Sequence, residues 1–157
     1  MAALERTLNA DLLCVVQRTR LVMGITAGII PAAATTGMLF GYGIRLGQPT
    51  LVFQAIGAIG TAMAFMPRIA ALLGLLIHVV TTLACGILYV ALMGESRDNR
   101  FAWAIAIGGA AAAAAFVVAR TFGGSIALVL TPGNLVSLGV VIAITLPIGM
   151  RFAPSRV

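Results

Sequence analysis

His78 is the chain's single histidine, and it lies inside an uncharged apolar run over residues 69–93. Read as a helix at about 100° per residue, Gly74, His78, Thr82, Cys85, Gly86 and Tyr89 fall within a sector of roughly 120° and point together. An imidazole on such a face can donate a hydrogen bond from one nitrogen and accept at the other. The plainest use is a bond across helices to Thr35, Thr36 or a carbonyl freed by Pro31, which would hold two spans together. A second use is axial ligation of a haem or chlorin, for which Gly74 and Thr82 leave room beside the ring and Trp103 could line the pocket. No second histidine is present, so that site needs a five-coordinate metal or a partner chain. A third is a proton or substrate relay, which normally recruits acids within the membrane.

Catalysis finds less support. Thr81, Thr82 and Tyr89 would act as nucleophile or acid only if another group activated them, and His78 with Thr82 four residues on is the spacing of a simple hydrogen bond. The chain has no CxxC, HExxH or P-loop pattern. Cys14 and Cys85 stand a whole predicted span apart and form no metal-ligand spacing, so both read as small apolar fillers. The expectation is a non-enzymatic protein with no catalytic residues, no metal site and no cofactor. A haem, chlorin or transported small molecule held through His78 is the alternative.

The elements that must position this face lie in a membrane. Apolar residues make up 61% of the 157 and charged residues 9%, with a mean hydropathy of +1.12; soluble domains do not have this composition. All ten cations are arginine and the four acids, Glu5, Asp11, Glu95 and Asp98, fall outside the long apolar runs. The arginines are scattered singly or in pairs between hydrophobic segments, without the dense basic stripe a nucleic acid needs. The net charge of +6 therefore reads as membrane anchoring. Arginine to the exclusion of lysine suggests a GC-rich bacterial genome.

Crossing the hydrocarbon takes about 20 mostly apolar helical residues, and four runs qualify: 21–44, 69–93, 101–120 and 125–150. The fold class that follows is an all-α, polytopic bundle of four transmembrane helices. The stretch 51–66 contains Gln54, sits between Pro49 and Pro67, and would cover only about 24 Å as a helix. It reads as a short interfacial or re-entrant helix, with a fifth span as the alternative. In residues 1–20 the leucines at 4, 8 and 12 and Val15 recur at helical spacing, with Arg6, Asn9 and Gln17 elsewhere around the turn. That pattern predicts an amphipathic interfacial segment or a continuation of the first span. The N-terminus lacks the basic-then-apolar design of a cleavable signal and is expected to stay attached.

With four spans, Arg6, Arg18, Arg20, Arg97, Arg100, Arg151 and Arg156 share one side, against Arg45, Arg68 and Arg120 on the other. The positive-inside rule then places both termini in the cytoplasm. Close packing is predicted where small residues repeat every fourth position: Gly24, Gly28 and Ala32 in the first span, Ala104, Gly108 and Ala112 in the third. Pro31 frees the carbonyl of Ala27, and Pro147 that of Ala143, so both spans should bend. The two hairpins share a pattern, a small-residue span followed by a more aliphatic one, but identity between the halves is too low to claim a duplication and span four carries no counterpart of His78; Asn134, at its entrance, is the nearest polar candidate.

The pattern His78-x3-Thr82-x3-Gly86-x2-Tyr89, preceded by Met23-Gly24-x2-Ala27-Gly28, resembles small bacterial inner-membrane proteins of the YagU-like kind. In that family a helix reads His-x3-Ser-x3-Gly-x2-(Tyr/Phe) within a bundle of about four spans; here Thr82 stands where serine is usual. The likeness covers residues 21–93 and implies an inner-membrane location. Together these readings point to an accessory or assembly subunit whose partners are the lipid bilayer and other membrane subunits or further copies of itself.

Overall fold

A computed structural model describes residues 2–59, 66–94 and 98–153, with side chains described from residue 16 onward except that of Ser125. Six helices and no strand occur among them: α1 (Ala2–Arg45), α2 (Leu51–Ala58), α3 (Pro67–Met93), α4 (Arg100–Phe122), α5 (Gly124–Val129) and α6 (Pro132–Arg151). Four segments are long and apolar enough to cross a membrane: Val16–Arg45 of α1, then α3, α4 and α6. Large apolar side chains stand on the outside, among them Leu72, Ile105, Leu128 and Val136, each more than 60% exposed. An apolar exterior of this extent is stable only against lipid. The chain is an all-α, multi-pass membrane bundle.

Local chemistry sets the helix ends. Pro67 and Pro132 occupy the first turns of α3 and α6, where a missing N–H costs nothing. Gly94 and Gly123 end α3 and α4 at φ +58°, which only glycine adopts without strain. The span predicted at 125–150 is divided. Thr131 is extended (φ −63°, ψ 156°) ahead of Pro132 and its hydroxyl accepts from the Asn134 N–H. This cap stops the short α5 and starts a new helix, so the crossing begins at Pro132.

Residues 2–20 are helical and continuous with the first span. No glycine or proline lies between Ala2 and Gly24 to break the helix. The side chains at 4, 8, 12 and 15 that carry the predicted amphipathic face lie outside the described residues. So do Glu5, Arg6, Asp11 and Cys14, and Glu95, Arg97 and Arg156 likewise. Of the predicted helix 51–66, α2 occupies Leu51–Ala58 and Ile59 turns away, while residues 60–65 lie outside the description.

The chain therefore runs long, short, long twice: α1–α2–α3 and α4–α5–α6. Glycines bring the long helices to backbone contact. Gly24 and Gly28 lie against Leu83, Gly86 and Ile87 where α1 meets α3; Gly108 meets Gly139 and Ala143 where α4 meets α6. Gly149 of α6 rests on Ala27 of α1, and its α-hydrogen points at the Ala27 carbonyl that Pro31 leaves without an N–H partner. A weak C–H···O contact thus covers the gap the proline makes.

Two apolar clusters fill the interior. Toward the end holding the α3–α4 turn, Met23, Ala27, Tyr89, Val90, Ala104, Ile107, Ile142 and Leu146 pack together. Toward the other, Leu39, Val52, Phe53, Ala119, Ile126, Val129 and Leu135 do so, with α2 and α5 both contributing.

Candidate functional site

α3 presents its polar face inward. Gly74, Thr82, Gly86 and Tyr89 are buried, and His78 and Cys85 half-buried. The register follows from Gly86, where a β-carbon would fall on the Gly24 carbonyl of α1, so no larger residue lets the helices meet at this depth. That contact turns His78, two turns earlier, toward the same neighbour.

His78 Nε2 lies 2.9 Å from Thr35 Oγ1 of α1. Thr35 is fully buried, and its hydroxyl is 2.7 Å from the Pro31 carbonyl oxygen, with that of Ala32 farther off at 3.4 Å. A hydroxyl has one hydrogen. Thr35 donates it to Pro31, so Oγ1 accepts from His78 and Nε2 carries the ring proton. Nδ1 is left with the lone pair. The Thr82 hydroxyl donates to the His78 carbonyl at 2.8 Å, within α3. Phe53 of α2 meets the imidazole edge-on, centroids 5.9 Å apart at 65°, and itself packs on Phe40 at 4.8 Å. Three helices fix this one ring.

The face does not converge on one cavity. Gly74 serves α2, since a β-carbon there would meet the Phe53 carbonyl and one at Gly57 the Ala70 carbonyl. Gly86 serves α1. Cys85, a free thiol, and Tyr89 pack into the cluster shared with α4 and α6. Tyr89 is fully buried and its hydroxyl finds no hydrogen-bond partner among the described residues.

The remaining candidates scatter. Thr36 is half-buried on α1. Thr81 is exposed and donates to the Ile77 carbonyl. Trp103 stands on the outside of α4, 36% exposed, because Ala104 and Ile107 take the inward positions. The Asn134 side chain closes the α5–α6 corner by donating to the Val129 carbonyl at 2.6 Å. Of the predicted packing residues, Ala32 and Ala104 are buried, and Ala112 on α4 approaches Gly139 of α6. Sequence reasoning missed Gly57, which meets Ala70 and Gly74 of the next helix, and Gly139 and Gly149, whose partners Gly108 and Ala27 lie far along the chain. Their one signal is recurrence at small-residue spacing, as in Gly139-x3-Ala143.

Among the described residues no group of three or more His, Cys, Asp or Glu comes together. Among the described residues two grooves open on the exterior. One, of about 360 Å³, lies between α1, α2 and α3 and includes Phe40, Gln54 and Arg68. The other, of about 370 Å³, lies between α4 and α6 and includes Arg100, Pro147 and Arg151. His78 lines neither. Compared with family models, curated proteins and solved structures, the chain matches none.

Proposed function

We propose that this protein is a non-enzymatic subunit that docks against other membrane helices, as an accessory or assembly component of a larger complex in the bacterial inner membrane. The observation that carries this reading is the outward face of α4. Ala102, Ala106, Ala110 and Ala114 are all exposed at four-residue intervals, with Gly109 and Ala113 beside them. A β-carbon at Gly109 would meet nothing within 4 Å. The exterior around this strip carries large apolar side chains, Ile105, Phe116 and Val117 on α4 itself and Leu72, Leu76, Val136 and Ile144 on other helices, as a lipid-facing surface should. A strip of alanine and glycine gains little from lipid but lets a second helix approach to backbone distance.

The engaged imidazole supports the same reading, because His78 is already bonded to Thr35 inside the bundle. The arginine asymmetry favours cytoplasmic termini, and the YagU-like resemblance of residues 21–93 implies the same membrane.

The test is purification of the tagged protein in mild detergent, with an absorption spectrum and mass spectrometry of everything retained. Wild type should be colourless and bring a reproducible set of membrane subunits, and Ala106→Leu/Ala110→Leu should lose them while its helicity is unchanged. A partner set indifferent to that variant, or no partners at all, would overturn the proposal. So would a coloured preparation that His78→Ala bleaches, which would establish a haem or chlorin protein.

A further inference from the structure

Seven of the eight residues around the α4–α6 groove come in two kinds arranged by depth. Arg100 and Arg151 stand at its mouth, where α4 begins and α6 ends, and Phe101, Ile105, Ile144, Pro147 and Ile148 line its walls. From Arg151 back to Ala143 the groove descends about 12 Å along α6, at 1.5 Å per residue. That is the depth from headgroup level into the first half of a leaflet. Pro147, about 6 Å down this wall, cannot donate to Ala143, whose small side chain lines the deep end.

Charge decides what belongs there. The Arg100 guanidinium lies 4.9 Å over the Phe101 ring, which holds it at the groove. Neither arginine has an ion-pair partner among the described residues, and Asp98, in the turn ahead of α4, is the nearest described acid in sequence. Two cations above an apolar slot are complementary to a phosphodiester joined to an acyl chain. The other groove has a single cation, Arg68, and the polar side chain beside it, Gln54, already donates to Thr50 Oγ1 at 2.7 Å.

We infer that the α4–α6 groove is a binding site for one anionic phospholipid, its phosphate held between Arg100 and Arg151 and an acyl chain laid against Ile105, Ile144 and Pro147. The site needs no partner subunit and stands or falls independently of the docking role above.

The full chain, stripped of lipid in a neutral detergent, is titrated with dioleoylphosphatidylglycerol or dioleoylphosphatidylcholine and retained lipid is counted by native mass spectrometry. Wild type should retain one phosphatidylglycerol about tenfold more strongly than phosphatidylcholine. R100Q/R151Q should abolish the preference and R68Q should leave it intact. Ile144→Trp, which fills the slot and spares both charges, should weaken phosphatidylglycerol retention; circular dichroism checks that each variant is folded. Equal retention of the two lipids, or equal loss in R68Q, would overturn the inference. Displacement of the lipid by millimolar inorganic phosphate would also overturn it, by showing an anion site that makes no use of the acyl chain.

Discussion

Thr35 is the residue on which the polar face turns, because its hydroxyl is donor to Pro31 and acceptor from His78 at once. Hydrogen bonds between membrane helices contribute about 0.6 kcal/mol on average and up to about 1.7. A double-mutant cycle of Thr35→Val and His78→Leu, followed by denaturing-detergent unfolding, should give a coupling energy in that range. A coupling of zero would show that the 2.9 Å contact does not stabilise the bundle. Tyr89 predicts the opposite behaviour. Its buried hydroxyl lacks a partner among the described residues, and an unmade bond of this kind costs roughly 1–3 kcal/mol. Tyr89→Phe should therefore leave the midpoint unchanged or raise it; a clear loss would reveal a bound water or ligand on that oxygen. Much of this site is legible in the sequence, since one turn angle gathers the α3 face. The choice of Thr35 over Thr36, which the sequence leaves open, follows from how α1 crosses α3. Thr35 lies seven residues, two turns, beyond Gly28, so a Gly24/Gly28 contact with α3 carries Thr35 to the same side. The Tyr89 environment is not readable, because it depends on how α4 and α6 close over α3.

Among the helices, contacts between backbones set the spacing and the glycines are not equivalent. Gly74→Ala would drive a methyl into the Phe53 carbonyl and should destabilise by about 1–3 kcal/mol, as overpacking does. Gly37→Ala meets nothing within 4 Å on the exposed side of α1, and should be neutral or stabilise by up to about 1 kcal/mol through helix propensity. Unfolding midpoints of the two variants check this, and equal effects would contradict the crossing of α2 over α3. The long spans are legible from hydropathy to within a few residues at α3 and α4. The split of the last run into α5 and α6 is not, because hydropathy averages over Thr131-Pro132-Gly133 and takes no account of a lost N–H or a side-chain cap. At residue 20 the helix runs on, the continuation that the sequence also allows, because a change from amphipathic to apolar composition alters what a helix faces without interrupting its hydrogen bonds.

For the whole molecule, four crossings are an even number, so the N-terminal end of the first span, the α3–α4 turn and the end of α6 emerge together, opposite α2 and α5. Single cysteines at Asp98 and Phe152, in a background lacking Cys14 and Cys85, should react with a membrane-impermeant maleimide from one side of sealed vesicles. A cysteine at Gly47 should react only from the other. Labelling of Gly47 from the same side as Asp98 would break the topology, and protection of Asp98 in right-side-out vesicles would place it in the cytoplasm. Finally, α1 is 44 residues without interruption, about 66 Å, against a hydrocarbon layer of about 30 Å. The part beyond the bilayer is thus a mast keyed to the bundle, and its compass bearing is set by residue count. One alanine inserted between Arg18 and Thr19 would swing everything N-terminal of it by about 100°, whereas four would return it to within about 40° of its heading and lift it by about 6 Å.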